Sequence, residues 1–484
     1  MSKLNIVFVT PEAAPLAKTG GLADVTGSLP HAIRRLGHRV TVFMPFYRRH
    51  VEAAGFTPKP AGRIEDIRID GTSRSANLHQ IDIDGLRFML VEQDDLYDRD
   101  GLYGTAAGDH PDNPLRYTFF CRVVLEATGR FPRPIDVFHC HDWQTGLLPL
   151  LLKRQYQYKP KIASAACIYT IHNLAYQGIF DASWIPRLGL PMEDFHPEGY
   201  EFYGRINCMK AGIAGTDRIT TVSRTYAEEI LTPTFGCQLE GFLERHVDRL
   251  SGIVNGLDTG TWNPADDRHI AATYAPGNMR GKAACKQQLQ QELGFAQDSE
   301  CPLLAAVTRL VEQKGVDLIT HCIPAWLEAG YQIALLGTGD PRHETLLRKL
   351  ADNHPEQMHF YCGFNEALAH RFYAGADLFL MPSRFEPCGL GQLIAMRYGT
   401  IPIVRATGGL RDTVVDYTAS KSASTGFHFR EATPKALDKA VDHAVETIRH
   451  PAAWNRLVGR AMRRDSSWDA SAADYLQLYS TAMI

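Results

Sequence analysis

Short apolar runs alternate with longer amphipathic stretches along most of the chain. Near its start, residues 6–9 form an apolar run, a polar loop follows, and residues 22–36 show helical spacing before the next run at residues 40–44. Short apolar runs bounded by loops are typical of strands that are buried on both faces of a parallel sheet. The order of strand, loop, helix and strand therefore predicts a doubly wound α/β unit.

The same alternation begins again in the second half of the chain. An apolar run at residues 303–308 predicts a strand, and residues 316–327 predict the helix after it. Four later runs share the strand pattern: residues 332–336, 358–362, 376–381 and 401–405. The chain therefore predicts two Rossmann-like domains, and the Gly-, Asn- and Pro-rich segment 252–264 is the best boundary between them.

Two regions depart from this alternation. Residues 60–95 alternate polar and apolar positions, and the turn signal Asp84-Gly85 lies among them, which predicts antiparallel hairpin strands. Residues 467–479 have the spacing of an amphipathic helix. We divide the chain into a first domain at residues 1–256, a second at 257–455 and a C-terminal helical segment at 456–484.

Composition narrows the class of protein. A chain of 484 residues is too long for one hydrophobic core of ordinary size, which predicts more than one domain. The formal net charge of −3 gives no electrostatic reason to expect a nucleic acid or an anionic membrane as partner. No apolar run approaches the roughly 18–20 residues that span a bilayer, and no signal peptide precedes the first strand. The 10 cysteines are scattered without disulfide spacing, which favours a reducing compartment. We predict a cytoplasmic protein.

The most informative loop follows the run at residues 376–381. Its sequence is PSRFEPCGLG, residues 382–391, and a helical pattern begins at Gln392. Open α/β sheets bind ligands at the carboxyl ends of their strands. Glu386 lies between Phe385 and Pro387, two rigid neighbours that can aim its carboxylate at a polyol. The glycines that follow leave backbone N–H groups free for an anion.

Other strand ends carry cations beside the start of a helix. Lys18 precedes Gly20 and Gly21, and such a pair lets a bound group approach the backbone while the helix N-terminus favours a phosphate. Arg309 and Lys314 precede the helix at residues 316–327, where two cations predict a clamp for a diphosphate.

Weaker signals follow three further strands. Gly337 begins a glycine loop, and the pair Gly408 and Gly409 repeats the arrangement after Lys18. Phe364 stands at a strand end, where an aromatic ring suits stacking on a purine; packing in the core is the alternative.

The run His139-Cys140-His141-Asp142 looks like a set of metal ligands. Alternate residues on a strand face opposite sides, and no second ligand pair follows at zinc spacing. We therefore interpret the run as structural and predict neither a metal nor another cofactor. Lys and Arg side chains with helix dipoles would hold a diphosphate instead.

Four stretches resemble, in order, the motifs of bacterial glycogen synthases and plant starch synthases. They are KTGGLADV at residues 18–25, IHNLAYQG at 171–178, PSRFEPCGL at 382–390 and TGGLRDTV at 407–414. The resemblance implies the GT-B fold, in which two Rossmann-like domains face a deep cleft and a C-terminal helix crosses back to the first domain. It also implies transfer of glucose from ADP-glucose to the non-reducing end of an α-1,4-glucan, with retention of configuration.

The resemblance also assigns site residues. It implies catalytic roles for Glu386, His172, Lys18, Arg309, Lys314 and Asp142. It implies donor contacts for Gly20, Gly21, Asn173, Asn255, Gly337, Phe364, Cys388, Gly389, Leu390, Gly391, Gly408 and Gly409. It places Asp24 and Tyr103 near the acceptor and the sugar.

One position departs from the family pattern. Gly391 stands where the family commonly has threonine, so a hydroxyl that could bond a phosphate or cap the helix is missing. Backbone N–H groups can still serve, and we expect activity. Two alternatives stay open: a retaining glycosyltransferase of the same fold that uses UDP-glucose or another acceptor, and a non-catalytic protein that binds a glucan or a nucleotide sugar.

Overall fold

The computed structural model describes residues 3–105 and 107–483, which divide into two compact units. The described part of unit 1 comprises residues 3–105, 107–222, 227–256 and 468–483. Unit 2 comprises residues 223–226 and 257–467.

Unit 1 is built on a large twisted sheet with two small accessory sheets. Its strands are β1 (Asn5–Val9), β2 (Arg39–Pro45), β3 (Lys59–Ile69), β4 (Thr72–Ile83), β5 (Leu86–Glu92), β6 (Gly104–Thr105), β7 (Gly108–Asp109), β8 (Val137–His141), β9 (Ala166–Ile171), β10 (Ile179–Asp181), β11 (Glu201–Phe202), β12 (Arg205–Asn207), β13 (Arg218–Thr221) and β14 (Leu250–Gly252). Its helices, with one that spans the junction to unit 2, are α1 (Gly21–Arg35), α2 (Arg48–Ala53), α3 (Asp94–Tyr97), α4 (Asn113–Thr128), α5 (Leu147–Gln155), α6 (Trp184–Leu188), α7 (Cys208–Gly215), α8 (Arg224–Glu229) and α9 (Glu240–Glu244). Short 3₁₀ turns lie at Trp143–Thr145, Met192–Asp194 and Val247–Arg249.

The large sheet of unit 1 has the strand order β14-β13-β9-β8-β1-β2-β5-β4-β3. The strands from β14 to β5 pair in parallel, whereas β3, β4 and β5 pair antiparallel, which confirms the predicted hairpins. Strand β1 lies between β2 and β8, with Val7 opposite both Thr41 and Phe138. The chain continues from β1 to β2 on one side of β1 and later adds β8 and β9 on the other side. The gap between β1 and β8 is therefore a topological switch point.

Unit 2 contains one sheet of six parallel strands. They are β15 (Leu303–Val307), β16 (Gln332–Gly337), β17 (Met358–Cys362), β18 (Leu378–Met381), β19 (Ile401–Arg405) and β20 (Phe427–Phe429). Its helices are α10 (Arg280–Glu292), α11 (Val316–Glu328), α12 (Pro341–Asn353), α13 (Glu366–Gly375), α14 (Gly391–Arg397), α15 (Gly408–Thr413), α16 (Pro434–Ile448) and α17 (Pro451–Arg463), with a 3₁₀ turn at Glu312–Lys314.

The strand order of unit 2 is β17-β16-β15-β18-β19-β20. Numbered within the unit, this is the order 3-2-1-4-5-6 of a Rossmann fold, with a switch point between β15 and β18. The central strands of the sheet are buried, and every residue of β16 is enclosed, whereas the edge strand β17 is partly exposed. Burial on both faces explains why these strands read as continuous apolar runs.

The last helix, α18 (Trp468–Ala482), belongs to unit 1 and packs on α1 and β9. Tyr479 on α18 hydrogen-bonds His139 Nδ1 at 2.7 Å, and Ser471 donates to the carbonyl of Val254 at 2.6 Å. The return of the final helix to the first domain is thereby confirmed. Helix α17 and the residues up to 467 belong to unit 2, so the final segment begins about a dozen residues later than our division at 456. Among the described residues, no helix combines the length and apolar character needed to cross a bilayer.

Candidate active site

Glu386 is buried in the loop between β18 and α14, at the switch point of unit 2. Its Oε2 atom accepts hydrogen bonds from Lys314 Nζ at 2.5 Å and from Ser383 Oγ at 2.9 Å. The side chains of Glu386 and Lys314 are only 7% and 17% exposed. Loss of either charge would leave the other buried and uncompensated, so each fixes the position of the other.

Further bonds join the loops that carry Lys314 and Glu386. The Arg384 guanidinium forms a two-pronged pair with the Asp317 carboxylate, at 2.7 and 2.8 Å. The Arg384 N–H donates to the Gln313 carbonyl at 2.7 Å, and the Gln313 side chain donates to the carbonyl of Phe385 at 3.2 Å. These bonds hold the carboxylate of Glu386 and the ammonium of Lys314 in one fixed arrangement.

Arg309 and Phe364 present open side chains after β15 and β17, two strands that are separated by β16 in the sheet. Arg309 is exposed, and within residues 3–105 and 107–483 its guanidinium makes no hydrogen bond or ion pair. The ring of Phe364 is 77% exposed, so it does not pack in the core. Close packing explains the glycine at position 337, because a Cβ there would lie 1.9 Å from the carbonyl oxygen of Thr308. Contact of these three residues with a donor stays a prediction.

The two Gly-Gly pairs differ in their surroundings. A Cβ added at Gly20 or Gly21 would meet nothing within 4 Å, so the backbone after Lys18 is open. A Cβ at Gly408 would lie 2.0 Å from the carbonyl oxygen of Glu386, and one at Gly409 would lie 2.3 Å from that of Cys388. The second pair therefore lets β19 and α15 approach the Glu386 loop, whereas the first leaves room for a ligand.

This difference predicts opposite results for two alanine substitutions. We expect Gly409→Ala to lower the free energy of unfolding by about 3 kcal/mol, because a methyl group must displace backbone. We expect Gly20→Ala to leave stability within about 0.5 kcal/mol and to weaken donor binding, because the added methyl group occupies the open space. Chemical denaturation and ADP titration of both variants measure the two effects. Equal stability of both variants would contradict this interpretation.

Gly391 is the first residue of α14 and is closely surrounded. A Cβ there would lie 3.0 Å from Phe379 Cε1 and 3.3 Å from both Met381 Sδ and the Tyr373 hydroxyl. A threonine at this position would crowd all three side chains. The local packing therefore accounts for the glycine at position 391. The preceding loop is well defined: Cys388 is buried, and Gly389 takes a φ of +79° that favours glycine.

Asp142 directly follows β8 in unit 1 and has a strained backbone. Its φ of 55° and ψ of −179° lie in a region that is normally restricted to glycine. Its Oδ1 atom accepts the N–H of His172 at 2.7 Å, which fixes the start of the loop after β9. Burial raises the pKa of Asp142 to about 7, against the lowering effect of the N–H groups of His172 and Asn173. Strain of this kind persists only where the surrounding structure enforces it, and it clusters at active sites.

His172 is a neutral, enclosed histidine. Its Nε2 atom lies 3.0 Å from His141 Nδ1, and burial lowers the pKa of His172 to about 3. His139, the other histidine of the metal-like run, bonds the hydroxyls of Tyr479 and Thr170. Across the part of the chain that the structure describes, no three His, Cys, Asp or Glu side chains are arranged to hold a metal ion.

The remaining residues assigned to unit 1 differ in their exposure and in their partners. Lys18 Nζ pairs with Asp24 Oδ1 at 2.6 Å, and both side chains are partly exposed. Burial, with the charges of Glu12 and Asp142, raises the pKa of the Tyr103 phenol. Asn255 is buried, and its Oδ1 has no hydrogen-bond partner among the described residues, which leaves an acceptor unused. Roles of these residues toward a ligand stay predictions.

Glu12 is a site residue that the sequence analysis missed. It follows β1, is 2% exposed, and accepts two hydrogen bonds from Thr19 in the loop of Lys18, Gly20 and Gly21. An acidic residue just after a strand at a switch point was the available signal. Its burial was not visible in the sequence.

Comparison with known proteins agrees with this geometry. Residues 5–245 match the family model for the starch synthase catalytic domain, and residues 289–456 match the model for glycosyl transferases group 1. Glycogen synthase 2 of Geobacter sulfurreducens is 47% identical over 479 residues, 99% of each chain. Glycogen synthase of Syntrophotalea carbinolica is 44% identical over 480 residues, again 99% of each.

A solved structure is similar over the same extent. The catalytic domain of starch synthase IV from Arabidopsis thaliana, bound to ADP and acarbose, matches with a TM-score of 0.90 and 34% identity over 100% of both chains. The GT-B fold class and the resemblance of the four motifs are thus confirmed. The chain belongs to the glycogen and starch synthase family of glycosyltransferases.

Proposed function

We propose that this chain transfers glucose from ADP-glucose to the non-reducing end of an α-1,4-glucan, with retention of configuration. The observation that carries the proposal is the buried pair of Lys314 and Glu386 at the switch point between β15 and β18. The bacterial relatives are glycogen synthases, which supports the reaction, and the ADP bound to the Arabidopsis starch synthase supports the donor.

Each unit carries groups that suit a diphosphate leaving group. In unit 2, Arg309 offers an exposed guanidinium and Lys314 offers an ammonium fixed beside Glu386. In unit 1, Gly20 and Gly21 leave the N-terminus of α1 open. Fixed cations and helix N-termini stabilise negative charge as it develops on a departing phosphate. We therefore propose that the reaction needs no metal. We also propose that it takes place in the cytoplasm, because a reducing compartment suits the free cysteines of the described residues.

The carboxylates are proposed to orient groups rather than to attack the sugar. Oδ1 of Asp142 is occupied by the N–H of His172, and Oε2 of Glu386 is occupied by Lys314. A double displacement would need a free carboxylate at the anomeric carbon. We propose instead a front-face transfer, in which the departing phosphate takes the proton of the attacking hydroxyl. Glu386 then orients the glucose, and His172 supports its developing positive charge through the backbone carbonyl.

An initial-rate assay tests the function. Glucose incorporation into glycogen is measured with ADP-glucose and UDP-glucose side by side, each with and without a chelator. We expect a rate with ADP-glucose at least about tenfold above that with UDP-glucose, a difference of about 1.4 kcal/mol, and no effect of the chelator. A preference for UDP-glucose would overturn the donor, loss of activity with chelator would overturn the metal-free proposal, and binding without transfer would favour a non-catalytic protein.

A further inference from the structure

Glu12 is held in place from three sides within unit 1. Its backbone carbonyl accepts the hydroxyls of Thr10 at 2.7 Å and of Thr26, on α1, at 2.6 Å. Two residues later, the Ala14 N–H donates to the carbonyl of Ala23 at 2.9 Å. The segment after β1 is therefore fastened to α1, and the Glu12 side chain starts from a fixed backbone.

The carboxyl of Glu12 reaches the loop that begins with Lys18. Oε2 accepts the backbone N–H of Thr19 at 2.6 Å and its hydroxyl at 2.7 Å. The space that a side chain would fill at Gly20 or Gly21 is open, and Gly20 provides no side-chain cap for α1. The two bonds at Thr19 therefore fix a loop that is otherwise open at its glycines.

We propose that Glu12 is a positioning residue, which acts through Thr19 to hold the loop of Lys18, Gly20 and Gly21 in the conformation that receives the donor diphosphate. The inference rests on the proposed donor. Hydrogen bonds to a carboxylate are about twice as strong as those to a neutral acceptor, so the ionised form of Glu12 holds the loop most firmly.

The surroundings of Glu12 argue against a purely structural role. Burial raises the pKa of Glu12 to about 7, so the enclosed carboxylate opposes folding above neutral pH. A glutamine of the same shape would avoid that cost. The charged and titratable groups around Glu12 are Lys18, Asp24, Asp142, Tyr103 and Tyr117.

The test compares Glu12→Gln with the exposed control Glu65→Gln and with Thr19→Val. We expect Glu12→Gln to raise the Kd for ADP and the KM for ADP-glucose about tenfold at about pH 8, while its thermal midpoint stays equal or rises. In the double variant with Thr19→Val the two effects should not multiply, because both act on one contact. The Kd of the unmodified chain should rise as the pH falls through 7, and that of Glu12→Gln should change less.

Hydrogen exchange separates this inference from the proposed function. The peptide that contains residues 17–22 should exchange faster in Glu12→Gln than in Glu65→Gln, whether or not the chain transfers glucose. Unchanged exchange in this peptide, or an unchanged Kd for ADP, would overturn the positioning role. A fall in the thermal midpoint that parallels the loss of ADP binding would also overturn it, because loss of a purely structural residue lowers stability and binding together.

Discussion

Replacing Glu386 with glutamine is expected to lower kcat for glucose transfer about a thousandfold, while the chain stays folded. The amide keeps the shape of the side chain and an oxygen for Ser383, but it removes the charge that pairs with Lys314 at 2.5 Å. The freed ammonium can then turn toward other acceptors. Under the proposed mechanism, the sugar also loses a fixed anionic acceptor. Initial rates at saturating ADP-glucose, with circular dichroism to check the fold, measure the effect.

Two controls distinguish a catalytic from a structural role of this pair. Glu312→Gln removes an exposed carboxylate from the loop of Lys314 and should change kcat less than about twofold. Combining Glu386→Gln with Lys314→Gln restores neutrality in the buried site, which should recover stability but not activity. Recovery of the rate in the double variant would contradict the role of Glu386.

Sequence patterns predicted the strand ends because the central parallel strands of the two sheets, such as β8, β9 and β16, are buried on both faces. Each strand then reads as an apolar run, and the loop after it becomes visible by contrast. The loops that carry Lys18, Asp142, His172 and Glu386 were located in this way. The boundary before α18 was less clear, because α17 and α18 are both amphipathic and the residues between them carry no strong break.

Features that depend on distant neighbours could not be predicted. The pairs at Gly20 and Gly408 look alike in the sequence, yet only the second is closed by backbone from Glu386, more than twenty residues earlier. Glu12 gave only its place after a strand as a signal, because its burial and its bonds to Thr19, seven residues later, are not visible in the sequence. The strained backbone of Asp142 likewise depends on the N–H of His172, thirty residues away.

Asp142→Asn is expected to stabilise the chain while it lowers activity. Burial raises the pKa of Asp142 from 3.8 to about 7, so the folded state binds more protons than the unfolded state between these pH values. Stability therefore falls as the pH rises through this window, and the penalty is full above about pH 7. A difference of about three between the two pKa values corresponds to at most about 4 kcal/mol.

Asparagine removes this penalty but weakens the bonds to the N–H groups of His172 and Asn173. We expect a net gain of about 1–3 kcal/mol in unfolding free energy at about pH 8, which shrinks toward pH 4. The rate should fall about a hundredfold, because the loop of His172 loses its charged anchor. Urea unfolding across this pH range, beside the exposed control Asp82→Asn, measures the gain. A loss of stability at pH 8 would mean that the N–H bonds outweigh the cost of burying the charge, and Asp142 would then be retained for folding rather than for catalysis.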